Sequence, residues 1–250
     1  MGEGIKSMIS VCMATYNGEK YIKQQIESIL CQLSNEDELI ISDDMSTDNT
    51  LNILKSFNDS RIKIYIHDKE HGFVKNFENA LLNAKGDYIF LSDQDDIWMP
   101  DKVKISLDYL KIYDFVVSDC ITINEKEQII SSSRIKDYNI KTGFWRLMIK
   151  TRYLGCCMAF NRKVLKTVLP FPANSYLMEH DLWIAAVSEC YYKTALIPEA
   201  LIKYRRHGRN ASSGGDSKGY SLAIKIVRRL YRLVCLAFVR NKTKKFRKDK

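Results

Sequence analysis

The sequence predicts an α/β fold: a Rossmann-like, mostly parallel sheet flanked by helices, followed by a C-terminal amphipathic helical tail. Three observations carry this. Over the first 120 residues, short apolar runs alternate with segments of helical spacing, the pattern of strands joined by crossover helices. The 250 residues are 46% hydrophobic and 28% charged, enough apolar material for one large domain and unlike disordered, collagen-like or low-complexity chains. Polar residues and carboxylates gather just after three of the apolar runs, where parallel sheets bind ligands beyond the carboxyl ends of their strands.

Met8–Thr15 (MISVCMAT) reads as a buried strand, closed by the polar turn Tyr16-Asn17-Gly18. Glu19–Leu33 follows with apolar residues at helical spacing (Tyr21, Ile22, Ile26, Ile29, Leu30, Leu33). Glu38–Ser42 is the second strand, and Ser46 or Thr47 is placed to cap a helix reaching about Phe57. Arg61–Ile66, Asp87–Ser92 and Phe115–Ser118 are the next strands, with a helix over Phe73–Asn83 and another opened by Pro100. After Cys120 the pattern weakens. Glu125–Lys141 reads as an irregular polar region, Gly155–Phe160 as an apolar run, and Asp181–Cys190 as a helix. The Gly/Ser-rich stretch Ser212–Gly219 divides the chain into a domain over 1–215 and a tail over 216–250.

The net charge of +9 would suggest nucleic acid, but the tail alone holds 12 Lys/Arg against 2 Asp/Glu, and the preceding 215 residues are nearly neutral. No nucleic-acid reading module accompanies those charges, so no nucleic-acid partner is expected. The seven cysteines include no C-x-x-C pair, and buried free thiols in a reducing compartment are the simplest reading. No secretory leader and no apolar run long enough to cross a bilayer are evident.

Asp93, Asp95 and Asp96 share one turn past an apolar strand. Carboxylates so placed repel one another unless a cation joins them, and oxygen ligands suit Mg²⁺ or Mn²⁺ shared with phosphate. A solvated acidic turn is the alternative. Asp43-Asp44 ends another strand; helix capping accounts for the neighbouring Ser46–Asp48 but not for this pair, which can accept from a base N–H or a ribose hydroxyl. P-loop, G-x-G-x-x-G, G-x-S-x-G and H-E-x-x-H patterns are absent.

SVCMATYNGEKYI, ELIISDDMSTDNT, GDYIFLSDQDDIWMPDK, EHDLW and YRRHGRN, in this order from Ile9 to Asn210, resemble an inverting family-2 glycosyltransferase of GT-A fold, in particular its bacterial rhamnosyltransferase-like branch. The resemblance implies transfer of a sugar from a nucleoside diphosphate donor (UDP- or dTDP-linked, dTDP-rhamnose among them) to a hydroxyl of a glycan or lipid-linked acceptor in cell-surface polysaccharide or capsule synthesis. It implies Thr15, Tyr16, Asn17 and Asp44 around the base with Asp43 close by, and Asp93 and Gln94 near the ribose. Asp95, with Asp93, would hold Mn²⁺ or Mg²⁺, supported by Asp96. Asp181 would be the catalytic base, and Arg206 and His207 would face the diphosphate. His180 stands where many members carry Glu, leaving its supporting role open. Two rivals remain: a sugar nucleotidyltransferase, whose Gly-rich basic loop Met8–Gly18 lacks, and an inactive membrane-associated subunit, against which Asp44, Asp95 and Asp181 together argue.

From Tyr220 onward, apolar residues at spacings of three and four face away from Lys225, Arg228, Arg229, Arg232 and Arg240. Such a helix suits an anionic membrane surface, apolar side down, and implies a cytoplasmic enzyme peripheral to the inner face of the membrane. Packing on the enzyme body or on a second subunit of a homo-oligomer is the alternative.

Overall fold

The computed structural model describes residues 7–68, 70–150, 152–208 and 221–248, with the backbone alone for 241, 242 and 244–248. In chain order the elements are β1 (Ile9–Thr15), α1 (Ile22–Leu30), β2 (Glu38–Asp43), α2 (Thr50–Ser56), β3 (Ile62–Ile66), α3 (Phe73–Leu82), β4 (Tyr88–Ser92), β5 (Ile97–Trp98) and α4 (Lys102–Leu110). The second half adds β6 (Phe115–Ile123), β7 (Ile129–Ser131), α5 (Arg134–Asp137), α6 (Phe144–Ile149), a 3-10 turn (Gly155–Cys157), β8 (Met158–Asn161), α7 (Arg162–Val168), α8 (His180–Tyr191), β9 (Thr194–Arg205) and α9 (Leu222–Lys248). The proposed boundary at 215/216 and the Gly/Ser stretch fall outside the described residues.

One sheet runs in the order β3-β2-β1-β4-β8-β6-β9-β5, with β7 paired to β6. The β3-β2-β1-β4 half is parallel throughout, so Thr15, Asp43 and Ser92 end on one edge. Beyond β4 the sheet is mixed: β8 lies antiparallel between β4 and β6, while β9 runs parallel to β6. Both faces of the central strands are covered, so β1 and β2 are buried at nearly every position. Helix α1 lays Ile22, Ile26 and Ile29 on the sheet, all fully buried, at about 2 kcal/mol of transfer free energy each.

Two regions differ from the sequence reading. The polar segment 125–141 holds β7 and α5, because Ser133 caps α5 (its Oγ accepts from Lys136 N–H, 3.2 Å) and anchors it to buried Asp119 (2.5 Å). The chain past α8 forms the 12-residue β9, a strand that the residue periodicity does not predict. Pro198 and Glu199 interrupt its alternation, and its pairing with β6 shifts register around Asp119.

Helix α9 packs on α7 and α8, but not by its apolar side. Arg228 and Arg232 face the body with Leu236 and Val239 and are buried, whereas Leu222, Ile226, Val227, Leu230, Leu233, Val234 and Phe238 are exposed. Arg228 pairs with Glu179 (2.8 Å), and Arg229 donates to the carbonyls of Met148 (3.0 Å) and Ile149 (2.9 Å) at the end of α6. These are orphan helix-end acceptors that arginine is suited to satisfy. No described helix is long and apolar enough to cross a membrane.

Candidate active site

The carboxyl edge of the parallel half brings three loops together. After β1, Asn17 adopts a left-handed backbone (φ 48°), and its Oδ1 accepts from Thr47 N–H (2.8 Å), tying this loop to the one after β2. Gln94, in the loop after β4, accepts from Tyr16 N–H (2.9 Å) and donates to Tyr16 C=O (3.0 Å). A Cβ at Gly18 would overlap the Gln94 amide, so this clamp requires glycine there. Asn17 and Gln94 therefore act as loop ties, and they leave Tyr16 53% exposed at the mouth.

Asp43 is fully buried and accepts from Thr15 Oγ (2.8 Å), Ser46 N–H (2.8 Å) and Ser46 Oγ (2.7 Å). It braces the floor, with Thr15 buried alongside. Ser46 thus serves Asp43 rather than capping α2; the N–H of Thr50 goes instead to Asp48 (2.9 Å). Asp44 sits nearer the surface, its oxygens accepting from Gly72 N–H (2.9 Å) and lying 3.2 Å from His71 Nδ1.

The β4 loop places its three aspartates differently. Gln25 of α1 fixes the loop's root, donating to Ser92 Oγ (2.7 Å) and Asp93 C=O (3.1 Å). Asp93 and Asp96 gather with Cys156 of the 3-10 turn, ligand atoms within 4.8 Å of one another. Burial, reinforced by Asp95 and Asp181, pushes Asp93 up to about 8; burial also raises Asp96 well above the carboxylate range. Asp95 turns instead to His207, whose Nε2 lies 2.7 Å from its Oδ2. At this distance the two side chains are hydrogen-bonded to each other; among the described residues the gathered trio is Asp93, Asp96 and Cys156, whose carboxylates suit a hard cation and whose sulfur suits it less.

Asp181 stands in the first turn of α8, facing the 3-10 turn. Burial and the Glu179 charge push it up to about 7, against the Leu182 N–H that it accepts (2.6 Å). A methyl at Gly155 would come within 3.5 Å of Asp181 Cβ and 3.0 Å of His180 Nε2, so glycine lets the turn pack against this helix end. His180 is a buried packing residue: it stacks on Phe77 (centroids 4.1 Å apart), neither ring nitrogen has a hydrogen-bond partner, and burial pulls it down to about 3. It therefore stays neutral and supports Asp181 by shape.

The end of β9 closes the site. Buried Arg205, which the sequence reading did not single out, donates its N–H to Asp96 Oδ1 (2.9 Å) and its Nε to Asp95 C=O (2.9 Å). Its guanidinium lies over the Tyr21 ring (4.7 Å), which also packs on His207 (5.2 Å). Arg206 extends the strand, its N–H on Ile123 C=O (2.8 Å). The tandem arginines of YRRHGRN hinted at Arg205; nothing local pointed to His71, which long-range folding brings in.

The sequence profile of glycosyl transferase family 2 matches residues 10–169, most of the chain. The chain belongs to this family. A dTDP-rhamnosyl transferase of Shigella flexneri, RfbG, is 45% identical over 105 residues, 39% of this chain and 36% of that protein. An uncharacterized glycosyltransferase of Haemophilus influenzae is 30% identical over 237 residues, 88% of this chain and 72% of its own length. The crystal structure of S. aureus TarS 1–349 in complex with UDP-GlcNAc superposes with a TM-score of 0.68 at 17% identity, covering 96% of this chain and 73% of that one. The fold is thus GT-A, and the chain is a glycosyltransferase. Within this family-2 chain the profile takes in the Asp43-Asp44 and Asp93–Asp96 loops, while Asp181, Arg205 and His207 lie beyond residue 169.

Proposed function

We propose that this enzyme transfers a sugar, with inversion, from a UDP- or dTDP-linked donor to a hydroxyl of a glycan or lipid-linked acceptor in cell-surface polysaccharide synthesis, using Mn²⁺ or Mg²⁺. One observation carries the reading: a carboxylate with its pKa near neutrality, Asp181, faces the Asp93–Asp96 cluster across the Gly155 turn. The dTDP donor named for RfbG and the UDP-GlcNAc bound by TarS support a pyrimidine nucleotide.

In this reading Tyr16 stacks on the base and Asp44 accepts from its N–H, while Thr15 and Asp43 hold the floor. Asp93 and Gln94 lie toward the ribose, Asp95 and Asp93 would hold the cation, and His207, hydrogen-bonded to Asp95, lies toward the diphosphate. When bound, the cation supplies positive charge opposite the departing diphosphate. Arg206 adds to that charge, and Arg205 fixes the loop that presents it. Asp181 takes the proton of the acceptor hydroxyl as its oxygen bonds to the anomeric carbon from the face opposite the leaving group. The carbon–oxygen bond to the diphosphate breaks, the nucleoside diphosphate departs, and configuration inverts through an oxocarbenium-like state.

Thermal-shift titration with UDP-, dTDP- and GDP-sugars, with and without Mn²⁺, tests this. A pyrimidine donor should raise the melting temperature only with the metal, and Asp95→Ala should abolish that increment. An unchanged metal-dependent shift in Asp95→Ala would count against the ligand assignment.

A further inference from the structure

We infer that the outward face of α9, together with the exposed edge of α6, is a docking surface for an anionic phospholipid bilayer. At about 100° per residue, Leu222, Ile226, Leu230, Leu233, Val234 and Phe238 form one continuous stripe along α9. The largest of these are almost bare, Leu222 at 71% and Phe238 at 79% exposed. An amphipathic helix ordinarily buries its apolar stripe on its own domain. Here the opposite, arginine-bearing face is buried, latched to Glu179 and to the end carbonyls of α6. The apolar stripe is therefore left facing outward by the way the helix is seated.

Helix α6, held alongside by Arg229, exposes Trp145 and Ile149, each 73% exposed and one helical turn apart. Tryptophan is the residue that favours the bilayer interface. Charge decides between the candidate occupants. The 27 residues of α9 carry ten Lys/Arg and no carboxylate. Arg228, Arg229 and Arg232 are taken up by the body and the other seven remain; a second copy seated on the same stripe would bring as many like charges against them, whereas an anionic leaflet neutralises them. The helix is too polar to cross a membrane, so it lies in the interface plane. This inference does not depend on which donor is used or on Asp181 being the base.

The test is co-sedimentation of the full chain with vesicles of phosphatidylcholine alone and of phosphatidylcholine mixed with phosphatidylglycerol. The comparison is the variant Leu230→Glu/Val234→Glu/Phe238→Glu, whose altered side chains are all exposed in the native fold. Wild type should sediment with the anionic vesicles only, less so in high salt, and the variant should bind at least about tenfold more weakly with an unchanged circular dichroism spectrum and melting temperature. Three results would overturn the inference: no binding of wild type to the anionic vesicles, equal binding by the variant, or a vesicle-free wild-type dimer that the variant makes monomeric.

Discussion

Asp181 carries its charge reluctantly, because burial and Glu179 raise its pKa to about 7. A base must be ionised to act, so kcat/KM should fall as pH drops through that value, with an acid limb centred near 7 rather than 4. A pH–rate profile flat from 5 to 8 would remove Asp181 from the role. The same shift has a stability sign. A carboxylate whose folded pKa is raised loses stability as pH climbs from its unfolded value, 3.8, toward about 7. Above that range Asp181→Asn should therefore melt higher than wild type, by about 1–3 kcal/mol, the usual exchange of stability for function. Gly155 is the second telling residue. Its methyl would come within 3.0 Å of a His180 nitrogen, so Gly155→Ala should push the 3-10 turn off α8 and cut kcat more than donor affinity. Calorimetric donor binding beside steady-state rates measures that split. Both positions show what was readable in advance: Asp181 stood in a motif, but the need for glycine at 155 arises only once His180, 25 positions away, packs on it.

At the level of elements, the strand-end loops were legible because a parallel sheet points its carboxyl ends at one edge, and short apolar runs announce where those ends fall. β9 was not legible. Its interrupted alternation hid the strand, and with it the reason Arg205 reaches Asp95 and Asp96. The helical period of α9 was equally plain in the sequence, yet period alone identifies two faces without saying which one touches the body. The latch between α8 and α9 has a measurable consequence. The Glu179 carboxylate raises the pKa of Asp181 and pairs with Arg228, whose own charge lowers it. Glu179→Gln removes the raising charge, so the acid limb of kcat/KM should move to lower pH. A limb that stays in place or moves up would show that the two helix ends are not electrostatically linked.

For the whole molecule, one sheet organises the chemistry. Its parallel half supplies the Thr15, Asp44 and Asp93–Asp96 loops, and its mixed half returns Gly155, Asp181, Arg205 and His207 to the same edge. The carboxylates lie on this sheet edge, and α9 presents its apolar stripe outward from the body. In the proposed mechanism this family-2 enzyme binds a nucleotide sugar with one set of groups and deprotonates its acceptor with another. Asp181→Asn separates the two. Donor binding by isothermal calorimetry in the presence of Mn²⁺ should stay within about threefold of wild type, while glycosyl transfer falls by at least about 10³. Transfer at the wild-type rate in that variant would mean that Asp181 is not the base.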